Sequence, residues 1–434
     1  MENTPSEADQ ASAKRLSRRA LLGGGAVLAG TALGGAAAGH AAAAAGIAVP
    51  PGSAVMPTGS GAAGPGAGGR TGTPVLHGTA TEPFWGAHQS GIATPHQAHG
   101  LFLGLDLVQG AGKDEVRSLM QVLTDDAARL TQGQAPLGAL EGDLAATPAR
   151  LTITFGFGAG LFDAIGKPDL CPPGVRSLPA FSTDELDPAW GPTDLLIQVC
   201  SEDPMTLTYA HRRLLRDAAQ FVTVRWAQRG FLPARGTEPD GTTPRNLMGM
   251  RDGSANESDP AQVAQVLWSD GAQQPWLKDG TQLVLRRIRI DMSTWDDVED
   301  EGKEIAFGRR VSDGSPLTGE KESDVVDRTA MDDMGFPVIA PNAHAARAQA
   351  RTAQERMIRR PYNYVSETAP TGEVEEGLLF AAYQADIMTA FVPVQERLAQ
   401  ADALNIWITH VGSASYAIPP GADQGSFIGA GLLA

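Results

Sequence analysis

Three short stretches, far apart in the chain, carry side chains that could do chemistry together. The first is Gly249-Met250-Arg251-Asp252-Gly253. Glycines on both sides of Asp252 allow a tight backbone, with positive φ where it is needed. Such a loop can hold a carboxylate close to a flat ligand. The second is Ala340-Pro341-Asn342-Ala343-His344-Ala345, and imidazole is a common axial ligand of haem iron. The third is Arg359-Arg360-Pro361-Tyr362-Asn363-Tyr364, where two guanidiniums stand beside aromatic side chains. An arginine keeps its charge and can hold a fixed positive field where an anion develops. Taken singly, each has an ordinary reading: an Asp-Gly turn, a surface or capping histidine, a pair of salt-bridging arginines. Taken together they supply a proton carrier, a metal ligand and a cation. Whether Arg359 or Arg360 is that cation stays open at this level.

The elements that must position these groups read as α+β. Leu101–Val108 is rich in apolar residues and predicts a strand. Asp114–Leu130 has helical spacing, with Val116, Leu119, Met120, Val122, Leu123, Ala127 and Leu130 on a broad face. Leu151–Phe157 and Leu195–Cys200 predict strands, Met205–Phe221 a helix, and Val222–Gln228 a closing strand. That order is the ferredoxin-like one. The second half repeats the rhythm without a sequence repeat. It has a strand over Gln282–Asp291, a helix start over Trp295–Glu301, a strand over Gly377–Gln384, a helix over Asp386–Leu398, and a last strand reached through Leu404–His410. The expected organisation is a delivery signal over 1–45, a linker over 46–75, an N-terminal unit over 76–230 and a C-terminal unit over 231–434.

The delivery signal rests on Lys14-Arg15-Leu16-Ser17-Arg18-Arg19, a twin-arginine pattern. A Gly/Ala-rich run and several A-x-A sites near Ala41–Ala45 follow it. The run is too small-residued for a confident membrane span. Twin-arginine signals direct folded proteins to the export machinery, so an exported, cell-envelope or extracellular location without a stable membrane anchor is expected. The stretch over 46–75 is Gly, Ala, Pro, Ser and Thr, too poor in apolar bulk to build a core. Fifty acidic against 34 basic side chains give a formal charge of −16, which argues against nucleic acid or an anionic membrane surface as a partner. Cys171 and Cys200 are the only cysteines, and an exported chain could pair them or leave them free. His88, His96 and His99 lack a carboxylate partner nearby in sequence and are read as structural.

From about Glu82 onward the chain resembles the dye-decolorising peroxidases, a haem family. The resemblance rests on the G-x-x-D-G at Gly249–Gly253, on Arg286-Arg287-Ile288-Arg289-Ile290-Asp291 with Trp295, on His344, and on the Arg-Arg-x-Tyr-Asn-Tyr run. Gly86–Ile92, Tyr383-Gln384-Ala385-Asp386, Phe391–Gln395 and His410-Val411-Gly412-Ser413 extend it. The resemblance implies two ferredoxin-like units packed as one body, with haem b in the C-terminal unit. It implies that hydrogen peroxide oxidises bulky donors such as dyes and phenolics by one-electron steps through a ferryl intermediate. It also implies roles: Asp252 as acid–base residue, Arg359 as the cation beside it, His344 as iron ligand, and Asp386 as the carboxylate on its Nδ1. Arg347 and Arg287 would meet the haem propionates, and Leu378 and Phe380 would line the pocket. A surface Trp or Tyr would relay electrons from donors too large to enter. Relatives of the family connected with release of iron from haem imply an alternative function. The run after His344, Ala-Ala-Arg-Ala-Gln-Ala-Arg, departs from the Arg and Asn-Pro-Arg often found there.

Overall fold

The computed structural model describes residues 77–239, 241–368 and 373–434. The expected signal over 1–45 and linker over 46–75 lie outside the described residues.

The N-terminal unit contains β1 (His99–Leu107), β2 (Thr152–Phe157), β3 (Leu195–Ser201) and β4 (Val222–Phe231) in the spatial order β2-β3-β1-β4. The Lys113–Thr131 and Pro204–Ala218 helices cross between these strands. The first helix buries Val116, Leu119, Met120, Leu123, Ala127 and Leu130, but Val122, expected on the same face, is exposed, because it falls between the i, i+3, i+4 positions that turn toward the sheet. The second starts at Asp203, whose carboxylate accepts from the Thr206 amide at 2.8 Å, with Pro204 in the first turn where a missing N–H costs nothing. It stops at Ala218, three residues before the expected end, because the Phe221 amide turns back to the Ala218 carbonyl.

The C-terminal unit contains β5 (Thr281–Ile290), β7 (Tyr362–Thr368), β8 (Glu373–Gln384) and β9 (Ile408–Ile418), in the order β9-β5-β8-β7. Both units therefore have the ferredoxin-like strand order. A two-residue strand, β6 (Ile358–Arg359), pairs with β8 in the same register as β7. Pro361, which has no amide to donate, separates the two. Short pairings, Phe157↔Ala417 and Phe231↔Asn363, join the units at both edges. With the β5–β8 pairing they close eight strands into a ring. Phe102, Leu196, Trp226, Tyr362, Tyr383 and Tyr416 pack between the two sheets, while the helices cover the other faces.

Two expectations shift. The helix predicted over Asp386–Leu398 runs from Phe391 to Ala401, because Asp386 folds into a turn that takes the Met388 amide at 2.9 Å. The helix start near Trp295 is two pieces, Met292–Trp295 and Asp300–Phe307. Cys171 and Cys200 are both free and buried, in separate core clusters. No described helix is long and apolar enough to cross a membrane.

Candidate active site

A cavity of about 1010 Å³ opens in the C-terminal unit, at the upper end of the ~300–1,000 Å³ typical of cofactor and small-molecule sites. Asp252, His344, Arg359, Leu378 and Phe380 all line it.

His344 begins the short His344–Ala348 helix, with the edge of Phe307 against its ring at 5.8 Å. Its Nδ1 lies 2.6 Å from Oδ2 of Asp402. A carboxylate accepts from the ring, so the proton sits on Nδ1 and Nε2 keeps a lone pair. Among the described residues nothing hydrogen-bonds Nε2, and the exposed part of the ring opens into the cavity. Burial alone would lower the His344 pKa, but the charge of Asp402 and its hydrogen bond outweigh that and raise it. Asp402 is buried and ends the Phe391–Ala401 helix. Its Oδ1 takes the Leu404 amide at 3.0 Å, so both carboxylate oxygens are used. The Ala403 amide also donates to the Asn342 carbonyl at 2.8 Å, which ties the two segments together.

Asp252 sits on a loop held from several sides. Asn246 donates its amide to the Met250 carbonyl at 2.9 Å, and its Oδ1 accepts from the Met250 amide at 3.2 Å. Gly249 makes the turn at φ +84°, where a side chain would be strained. The Arg245 guanidinium reaches the carbonyls of Gly249 and Val311, and Asn363 accepts the Leu247 amide at 3.0 Å. The Asp252 carboxylate itself has Asn246 Nδ2 at 3.4 Å and Arg359 Nη1 at 3.7 Å. Arg359 and Arg360 point to opposite sides of their strand, as alternation demands. Arg359 faces the cavity. Arg360 is buried in the core, donating to the Thr94 carbonyl and to Gln97 Oε1. The alternation resolves the ambiguity in favour of Arg359.

Three expected residues lie elsewhere. Asp386 accepts from Gln273 Nε2 at 3.0 Å and does not reach His344; Asp402, at the other end of the same helix, takes that place. Arg347 is turned away from the cavity, its Nε and Nη2 donating to the Arg397 carbonyl at 3.0 and 2.8 Å. Arg287 is stacked between Trp190 and Tyr364, 4.2 and 4.4 Å from their ring centres, and bonded to Gln228 and Glu375. The cation missed in the sequence is Arg309, which lines the cavity and donates to the Gly314 and Glu322 carbonyls. Burial, and then the charge of Arg359, lower its pKa. His88 stacks on Trp268, and no cluster of three or more His, Cys, Asp or Glu side chains fit for a metal ion exists among the described residues.

The Dyp-type peroxidase N-terminal family model matches residues 89–232 and the Dyp-type peroxidase C-terminal model residues 243–423. The chain belongs to the DyP-type peroxidase family. It is 39% identical over 363 residues to the dye-decolorizing peroxidase of Thermobifida fusca, covering 80% of this chain and 84% of that one. It is 33% identical over 374 residues to the deferrochelatase of Escherichia coli K12, covering 81% and 87%. The crystal structure of a DyP-type peroxidase from Cellulomonas bogoriensis superposes with a TM-score of 0.80 at 42% identity, covering 83% of this chain and 99% of that one. One from Streptomyces coelicolor gives 0.80 at 36% identity, covering 83% and 100%.

Proposed function

We propose that this protein is a haem-dependent peroxidase that uses hydrogen peroxide to oxidise bulky organic donors, such as dyes and phenolics, one electron at a time. The observation that carries this reading is His344, with Nδ1 fixed by Asp402 and Nε2 free, in the same cavity as Asp252 and Arg359. The residues present fit a haem. Nε2 is a neutral nitrogen donor, Phe307, Leu378 and Phe380 give apolar walls, and Arg309 is a fixed cation for a carboxylate side group. Haem supplies the iron at which peroxide is reduced and through which donor electrons arrive.

The protein's own part is positioning and proton movement. Asp402 keeps the His344 proton on Nδ1 and makes the ring a better electron donor. The Asp252 carboxylate accepts a proton from one peroxide oxygen and returns it to the other, as a general base and then acid. Arg359 presents a positive charge beside it, where negative charge gathers as the O–O bond breaks. In balance, peroxide takes up two protons and two electrons to give two waters, and two donor molecules each lose one electron.

Arg18-Arg19 and the Gly/Ala run behind them support delivery by the twin-arginine machinery to the cell envelope or beyond. The likeness to the deferrochelatase favours a second reading, in which the same pocket releases iron from haem. One absorption experiment on the purified chain separates the two. A Soret band that changes with one equivalent of peroxide and recovers as a phenolic donor is oxidised supports the peroxidase. Transfer of iron to a chelator with the porphyrin left intact supports the second reading. No Soret band after haem addition overturns both.

A further inference from the structure

Asn256 is four residues beyond Asp252, in the turn closed by its own amide on the Gly253 carbonyl at 2.8 Å. Its side chain reaches across to β6. There its Oδ1 accepts from the Arg359 amide at 3.0 Å, and its Nδ2 donates to the Arg359 carbonyl at 2.7 Å. Both main-chain polar groups of Arg359 are thereby taken by one carboxamide. The geometry matches what a neighbouring strand would offer, since Arg359 and Ala382 form the pair of the β6–β8 ladder that exchanges no bonds of its own. β6 is only two residues long and is cut off from β7 by Pro361. β4, which borders β7, ends at Phe231, paired with Asn363. At Arg359 the carboxamide of Asn256 takes the place a strand would occupy.

We infer that Asn256 is a positioning residue that locks the Asp252 loop to the Arg359 strand, so that carboxylate and guanidinium are held as one unit; this rests on the peroxidase reading. Asp252 and Arg359 come from segments over a hundred residues apart, and their own contact, at 3.7 Å, is too long to hold them together. Asn246, Arg245 and Asn363 secure the loop to its surroundings but make no bond to Arg359. Asn256 joins the two partners directly, through the backbone, and leaves both functional side chains free for peroxide.

The test uses the full chain loaded with haem and Asn256→Ala. Amide exchange of the segment containing Arg359 should speed up by about tenfold or more, because its N–H loses its acceptor. kcat/KM for peroxide should fall by roughly 10–100-fold, as misplacement of a reacting group does, with the KM for a small phenolic donor unchanged. On an Arg359→Ala background the same substitution should cost less than about twofold, since coupled positions are not additive. Asn256→Asp keeps the acceptor for the Arg359 amide but faces its carbonyl with a second acceptor. It should fall between parent and Asn256→Ala, and it carries the test if the alanine variant does not fold. Unchanged exchange, peroxide kinetics like the parent's, or losses that simply multiply in the double variant would overturn the inference. If the parent itself does not consume peroxide, the peroxidase reading fails, and the lock is then judged on exchange alone.

Discussion

Replacing Asp402 by Asn tests the proximal side of the site. The carboxylate is buried and lies 2.6 Å from His344 Nδ1. A hydrogen bond to a buried charge contributes about 1.5–3 kcal/mol. Asn has nearly the same shape. Its carboxamide oxygen can keep the bond to the Leu404 amide, which leaves its NH₂ facing Nδ1. Two donors then meet, and the ring proton is driven to Nε2, the atom that must stay free. At 1.4 kcal/mol per tenfold, the loss corresponds to roughly 10–100-fold in haem affinity, in line with changes to groups that support metal ligands. Titrating haem into apoprotein and following the Soret band measures it. Asp386→Asn is the matched control: that side chain bonds Gln273 and the Met388 amide and should leave affinity within about twofold of the parent, as surface changes do. Parent-like haem affinity in Asp402→Asn, or a loss confined to Asp386→Asn, would refute the reasoning.

The two adjacent arginines should separate cleanly. Arg359→Ala should slow peroxide consumption about 100-fold or more with little change in stability, the effect of removing one preorganised charge. Arg360→Ala should destabilise by about 2–4 kcal/mol in urea unfolding, because it strands buried acceptors at Thr94 and Gln97, and the folded fraction should keep its peroxide rate; the reverse pattern would mean the strand faces are misassigned. Burial pushes the Asp126 carboxyl up to about 7, with the nearby charge of Asp217 adding to it. The native state therefore holds a proton that the unfolded chain gives up near pH 4, and stability should fall as pH rises through about 4 to 7. Asp126→Asn should flatten that slope in denaturation curves at pH 5 and 8, and equal slopes would count against the assignment. Thiol titration of the denatured, unreduced protein should find both cysteines free, and added reductant should leave the melting temperature unchanged.

The sequence disclosed groups whose role depends on local pattern and hid those whose role depends on which ends meet. Asp252 is framed by glycines, His344 stands at a fixed order before the arginine pair, and Leu378 and Phe380 alternate along one strand. All of these line the cavity. Asp386 and Asp402 flank the same helix, and either could have met the imidazole. The tie between Ala403 and Asn342 brings the far end of that helix to His344, and it is a contact between segments some sixty residues apart. Arg287 and Arg347 look like free cations in the sequence, yet one is stacked between two aromatic rings and the other caps a carbonyl. Arg309, in a segment without regular periodicity, carried no signal. Asn256 could have been suspected from its spacing after Asp252, but its partner is a backbone that no side-chain pattern announces. The paired ferredoxin-like order was legible from the rhythm of strands and helices. Closure of both sheets into one ring rests on single residue pairs at two edges, which periodicity does not encode.

That ring sets an order of assembly. β9 is the last strand in the sequence, and it stands between β5 of its own unit and β2 of the other. It also brings Ile408 and His410 to the cavity wall, just after Asp402 has reached His344. During synthesis the N-terminal unit can fold as its strands emerge, as leading domains do, but the pocket lacks a wall and its histidine lacks a partner until residues 402–418 have been made. A nascent chain is therefore poorly equipped to retain a prosthetic group early, and loading becomes a late checkpoint that only a finished molecule passes.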